Sequence, residues 1–171
     1  MNFDTFLRLI ETLTVIFGIV FAIVQVRQYR SQRERDAAIM LLHQFQTPLF
    51  AKALHLVYKL PEGLTKVEIE GELGDDFHLV YAMMTTWESI GILVNRGELS
   101  LGLVDDFFSG AIVISWRKLK NHVFAERQEQ NRETIEEWFQ WLAEQMMARE
   151  SSSPPIPAHI AHKDWRPPDR S

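Results

Sequence analysis

Cysteine is absent from the 171 residues, which excludes disulfides, thiolate metal sites and cysteine nucleophiles and fits a reducing compartment. A metal could be held by His, Asp or Glu alone. Proline is nearly absent from the body of the chain: five of the seven lie in the last 21 residues, leaving Pro48 and Pro61 as the only earlier breaks. Positive charge is not in excess either, since 18 Lys and Arg face 23 Asp and Glu for a net charge of -5. The whole-molecule field therefore offers no general attraction to nucleic acid. G-x-S-x-G, a phosphate-cradling glycine loop and H-E-x-x-H are all missing, so no motif with an attached mechanism is present.

What the sequence does contain is an apolar run set directly against arginines, "TLTVIFGIVFAIVQVRQYRSQRER", residues 12–35. As a helix, Phe3 to Val26 would reach roughly 36 Å, enough for a tilted bilayer crossing. The strictly uncharged part, Thr12 to Val26, gives only about 22 Å, so a span must also recruit Leu7, Leu9 and Ile10. Arg8 then snorkels toward the amino-terminal surface, with Glu11 a turn away to offset it. Two simpler readings fit less well. A core helix needs a polar face, whereas "VIFGIVFAIV" is apolar all round; a signal peptide needs a basic leader and a small-residue cleavage site, whereas Asp4 precedes the run and "AIVQVRQ" follows it. Arg27, Arg30, Arg33 and Arg35 follow the run, so the positive-inside rule places the amino terminus outside and the bulk of the chain in the cytoplasm. These arginines answer to topology and anionic headgroups; no nucleic-acid partner is expected.

The run is not uniform. At 100° per residue, Glu11, Thr14, Gly18, Ala22 and Gln25 share an arc of roughly 80°. Small residues four apart let helix backbones approach closely, and the polar members can hydrogen-bond across the contact. This stripe is the expected packing face of a homo-oligomer.

Helical patterning continues beyond the arginines, with Ala38, Leu41, Leu42 and Phe45 at 3/4 spacing, so membrane helix and first cytoplasmic helix are expected to form one rod. Thr47-Pro48 reads as a helix start, with Phe50, Leu54, Val57 and Leu60 inward and a stop at Pro61. Residues 64–76 are acidic and hold two glycines, which predicts a short helix or turn capped into the next element by Asp75 or Asp76. Val80, Met83, Met84, Trp87, Ile90 and Val94 then make the stripe of a central core helix ending at Gly97. Ser100 should cap a short helix ended by Gly110. A second helix follows with Ile112, Trp116, Leu119 and Val123 inward and Arg117, Lys118 and Lys120 outward. Asn131 should open the last helix, with Ile135, Trp138, Phe139, Leu142 and Met146 inward. From Ser151 the proline-rich composition predicts a disordered tail in which a helix is not expected; His159, His162 and Trp165 stand in it.

Candidate chemistry reduces to Asp75/Asp76, Asp105/Asp106 and His43, His55, His78 and His122. Neighbouring acids on a helix point about 100° apart, so each pair offers one carboxylate to any site. Lone histidines on amphipathic helices are read as boundary residues. No catalytic, cofactor or metal residue is assigned.

The segments "LLHQFQTPLFAKALHLVYKLP", "WESIGILVNRGELSLGLVDDFFSGAIVISWRKLKNHV" and "ETIEEWFQWLAEQM", after an apolar helix running into arginines, resemble a family of bacterial membrane-anchored helical proteins catalogued as a domain of unknown function. The resemblance implies a helical cytoplasmic domain on a single-pass anchor and carries no catalytic residues. The expected protein is all-α: an anchor over 1–29, a cytoplasmic helical domain over 30–150 and a tail over 151–171. It would sit in the bacterial inner membrane, as an interaction or regulatory module with an unidentified protein partner. The alternatives are an oligomerising membrane effector and an enzyme with an unrecognised site.

Overall fold

The computed structural model describes residues 14–29, 32, 36, 39, 43, 45 and 47–167, and among them there are helices and turns but no strand. The chain divides into two compact units, Met1–Thr47 and Pro48–Ser171. In the first, α1 (Thr14–Tyr29) is an apolar helix whose every residue is exposed. Gln32, Asp36, Ile39, His43 and Phe45 are also helical, in keeping with the expected continuation. Glu11, Arg30, Arg33, Arg35, Ala38, Leu41 and Leu42 lie outside the described residues.

The second unit is a bundle of α2 (Pro48–Lys59), α3 (Lys66–Leu73), a 3-10 turn (Gly74–Asp76), α4 (Phe77–Asn95), α5 (Leu101–Gln130) and α6 (Glu137–Ser152), followed by the single-turn α7 (Ala158–Ala161). Helix α4 is the centre, packed against α6 and α2, while α5 packs against α6, α2 and α3. The expected α4 stripe of Val80, Met83, Met84, Trp87, Ile90 and Val94 is buried throughout. Edge-to-face rings tie the layers: Phe50 of α2 meets Trp87 at 5.4 Å, and Trp116 of α5 meets Phe139 of α6 at 5.3 Å. Such pairs add directional preference to area burial.

Helix ends follow local chemistry. Thr65 and Glu68 form a reciprocal capping box at the start of α3, which satisfies two donors that have no partner inside the helix. The end of α4 carries the paired bonds from the Glu98 N–H to the Leu93 carbonyl and from the Gly97 N–H to the Val94 carbonyl; Gly97 sits at φ +70°, where a side chain would be strained. Ser100 accepts from the Leu103 N–H at 3.1 Å, as its position before α5 predicts.

Four expectations are corrected. Gly110 does not end a helix: α5 runs unbroken for 30 residues, because one glycine costs about 1 kcal/mol and the buried stripe of Val104, Ile112, Trp116 and Leu119 on both sides offsets it. Asn131 does not open the last helix but closes α5 in the left-handed conformation; the Arg132 N–H returns to the Arg127 carbonyl, and α6 starts only at Glu137. The Asp76 side chain makes no capping bond to α4 and instead pairs with Lys52 of α2 at 2.7 Å, while Asp75 offers its backbone carbonyl to the His78 ring. The proline-rich segment, where no helix was expected, contains α7, all of it exposed.

By length and composition, the helical stretch Lys66–Asn95 is the one long and apolar enough among the described residues to cross a membrane. Its apolar stripe, however, forms the bundle core against α2 and α6, so packing accounts for its composition. Helix α1 is shorter, at 16 residues.

Candidate functional site

Polar side chains converge on one flank of the bundle, where α3 crosses α5. Lys66 and Glu70 stand a turn apart on α3, and His122, Glu126 and Glu129 share a face of α5 through their 4- and 3-residue spacing. The Lys66 ammonium bonds both Glu126 and Glu129 and lies 3.9 Å from Glu70. Hydrogen bonding to the two α5 carboxylates holds the Lys66 pKa well above the ordinary lysine value, so it is a fixed cation.

His122 lies beneath this cluster. It is 2% exposed, its ring stacks at a tilt against Phe77 with centroids 4.9 Å apart, and Nδ1 faces Glu70 Oε1 at 3.8 Å. That nitrogen is buried without a hydrogen-bond partner among the described residues. Burial lowers the imidazole pKa below its ordinary value against the opposing pull of Glu126 and Glu70, which favours a neutral ring with a free lone pair. The expectation of a boundary histidine is therefore corrected for His122, whereas His43, His55 and His78 are exposed on other parts of the chain.

A cavity of about 270 Å³ adjoins the cluster, bordered by Tyr81, His122, Glu126, Gln130 and Glu136. Glu136 enters it from the α5–α6 connection, in the left-handed conformation at φ +50° and only 9% exposed. Burial, with the nearby Glu88 carboxylate adding and Arg127 opposing, raises its carboxyl to about 7. The connection is clamped by the buried Arg127, which donates to the Ile135 carbonyl at 2.8 Å, to Gln140 Oε1 at 2.6 Å and to the Glu136 carbonyl at 3.3 Å. Glu88 of α4 accepts from the Phe139 N–H at 2.7 Å and so caps α6 from outside, where Glu136 itself makes no side-chain cap. Its pKa is also raised by burial.

Of the residues singled out from sequence, Thr14, Gly18, Ala22, Gln25 and Arg27 lie exposed on α1 and take no part in this cavity. Asp105 pairs with Arg149 at 2.9 Å and Lys118 donates to the Tyr58 carbonyl at 2.5 Å; both fasten helix to helix. The members that sequence reasoning missed are Lys66, Glu70, Glu88, Arg127 and Glu136. The i,i+4 pairs Lys66/Glu70 and His122/Glu126 were visible signals, but their meeting depends on the α3–α5 packing.

Fold and site together define an all-α bundle with a carboxylate- and imidazole-bordered cavity on one flank. The chain belongs to the family described as Domain of unknown function (DUF4760), whose model matches residues 12–146. No curated protein and no solved structure matches it.

Proposed function

We propose that the protein is a single-pass membrane protein of the bacterial cytoplasmic membrane, with its amino terminus outside and its bundle on the cytoplasmic face. There it acts as a non-enzymatic interaction or regulatory module for a protein partner. The observation that carries this reading is the state of α1: Val15, Ile16, Phe17, Ile19, Val20, Phe21, Ile23, Val24 and Val26 are all exposed, Phe17 by 71%. Burying each such side chain contributes about 1.5–3 kcal/mol, and a helix apolar on every side has no polar face to turn to water. A lipid environment resolves that conflict, with Arg27 at the carboxy-terminal end as the topological signal. The family match begins at residue 12, inside the apolar run, so this run belongs with the matched region.

Thr14, Gly18, Ala22 and Gln25 supply the helix-packing face of a homo-oligomer in this reading, and among the described residues nothing lies within 4 Å of a Cβ placed on Gly18. The alternative, an oligomerising effector that perturbs the bilayer, draws on the same stripe. Expression of residues 1–60 alone separates the two: a collapsed membrane potential favours the effector, a silent fragment the adaptor.

Alkaline carbonate extraction of membranes tests the anchor. The full chain is expected in the pellet, and Val20→Lys with Ile23→Lys in the supernatant. A parent chain released by carbonate overturns the reading.

A further inference from the structure

We propose that Glu70 of α3 together with His122 and Glu126 of α5 forms a binding site for one divalent transition-metal ion of the manganese, iron or zinc class. One ligand atom from each of the three lies within 4.8 Å of the others. Metal–oxygen and metal–nitrogen bonds of roughly 2.0–2.2 Å require donors about 3–3.5 Å apart, so the side chains must close by an ångström or so. Glu70 and Glu126 have that freedom, with side chains 42% and 25% exposed. His122 is fixed by burial and by Phe77. A rigid imidazole with two adjustable carboxylates can close round an ion without disturbing the core.

The second observation, independent of the acidic cluster, is the Nδ1 atom of His122. It is buried with no hydrogen-bond partner among the described residues and faces Glu70. An unsatisfied buried polar atom costs about 1–3 kcal/mol, and a coordinate bond through Nδ1, with the ring proton on Nε2, would satisfy it.

Donor chemistry selects the class of ion. One imidazole nitrogen with two carboxylates suits borderline first-row ions, whereas magnesium and calcium prefer all-oxygen sets. Lys66 is the resident cation, bonded to Glu126 and Glu129. It holds the carboxylates together and has to yield Glu126 when the ion enters. The adjoining cavity leaves space for water or a small anionic ligand at the remaining coordination positions. This inference does not depend on the membrane reading.

The test is calorimetric titration of the full chain in detergent, stripped by a chelator, with zinc or manganese ion alone. One ion per chain is expected. Glu70→Gln and Glu126→Gln should each weaken binding by about tenfold or more, while Glu129→Gln, which removes a Lys66 partner but no ligand, should bind at least as tightly as the parent. Circular dichroism verifies that the variants stay helical, and the ion should raise the melting temperature of the parent but not of the two ligand variants. Absence of saturable one-to-one binding, or equal affinity in the parent and both ligand variants, overturns the proposal.

Discussion

Gly91 of α4 lies directly against the backbone of Trp138 at the start of α6: a Cβ on Gly91 would fall on the Trp138 carbonyl oxygen and within 2.9 Å of its carbonyl carbon and Cβ. This contact lets α4 approach α6 closely enough for Glu88, one turn earlier, to reach the Phe139 N–H. A glycine here serves helix packing.

Gly91→Ala should therefore destabilise the bundle although alanine is the better helix former. Overpacking of this kind costs about 1–3 kcal/mol, against a gain of about 1 kcal/mol in helix propensity. Since the obstruction is backbone and cannot swing aside, the net effect is a loss. Thermal unfolding followed at 222 nm measures it, and a melting temperature at or above the parent value contradicts the contact.

Glu88 caps α6 from a neighbouring helix. Glu88→Ala removes the acceptor for the Phe139 N–H and should cost about 1–2 kcal/mol. Glu88→Gln keeps an acceptor and also relieves the repulsion that Glu88 exerts on Glu136. Urea denaturation should accordingly rank glutamine well above alanine.

Glu136 makes stability depend on pH. Its carboxyl is raised from an ordinary 4.5 to about 7, so the folded chain holds the proton more tightly than the unfolded one. This contribution is fully present below about 4.5 and is lost as pH rises to about 7, amounting to at most about 3 kcal/mol. The buried neutral His122 acts in the opposite sense, withdrawing stability as pH falls below its ordinary 6.5. Glu136→Gln should remove the larger fall with rising pH and leave the slopes of His122 and of Glu88, whose carboxyl burial also raises: above pH 7 the variant is more stable than the parent. Denaturation midpoints across pH 5 to 8 check this, and parallel profiles would contradict it.

Patterned apolar stripes made much of this fold legible. Val80 to Val94 repeat at helical spacing over about four turns and need no tertiary information to be recognised. Local signals were harder where one residue type serves two ends of a helix. Asn131 suits an amino-terminal cap and a left-handed carboxy-terminal close equally by type, and the bond from the Arg132 N–H to the Arg127 carbonyl decides for the latter. Gly110 resembles a stop until the buried stripe on both sides of it is weighed. The candidate site was the least legible, because Glu70 and His122 are 52 residues apart in sequence and meet only through the packing of α3 on α5. The burial of His122 has the same origin.

The absence of cysteine makes the proposed topology directly measurable. A single cysteine can be placed at Asn2 or at Ser153, on either side of the proposed anchor, and labelled in intact cells with a membrane-impermeant maleimide. With the amino terminus outside, Asn2→Cys labels in intact cells while Ser153→Cys labels only after lysis. Labelling of Ser153→Cys in intact cells, or recovery of both variants in the soluble fraction, would contradict it.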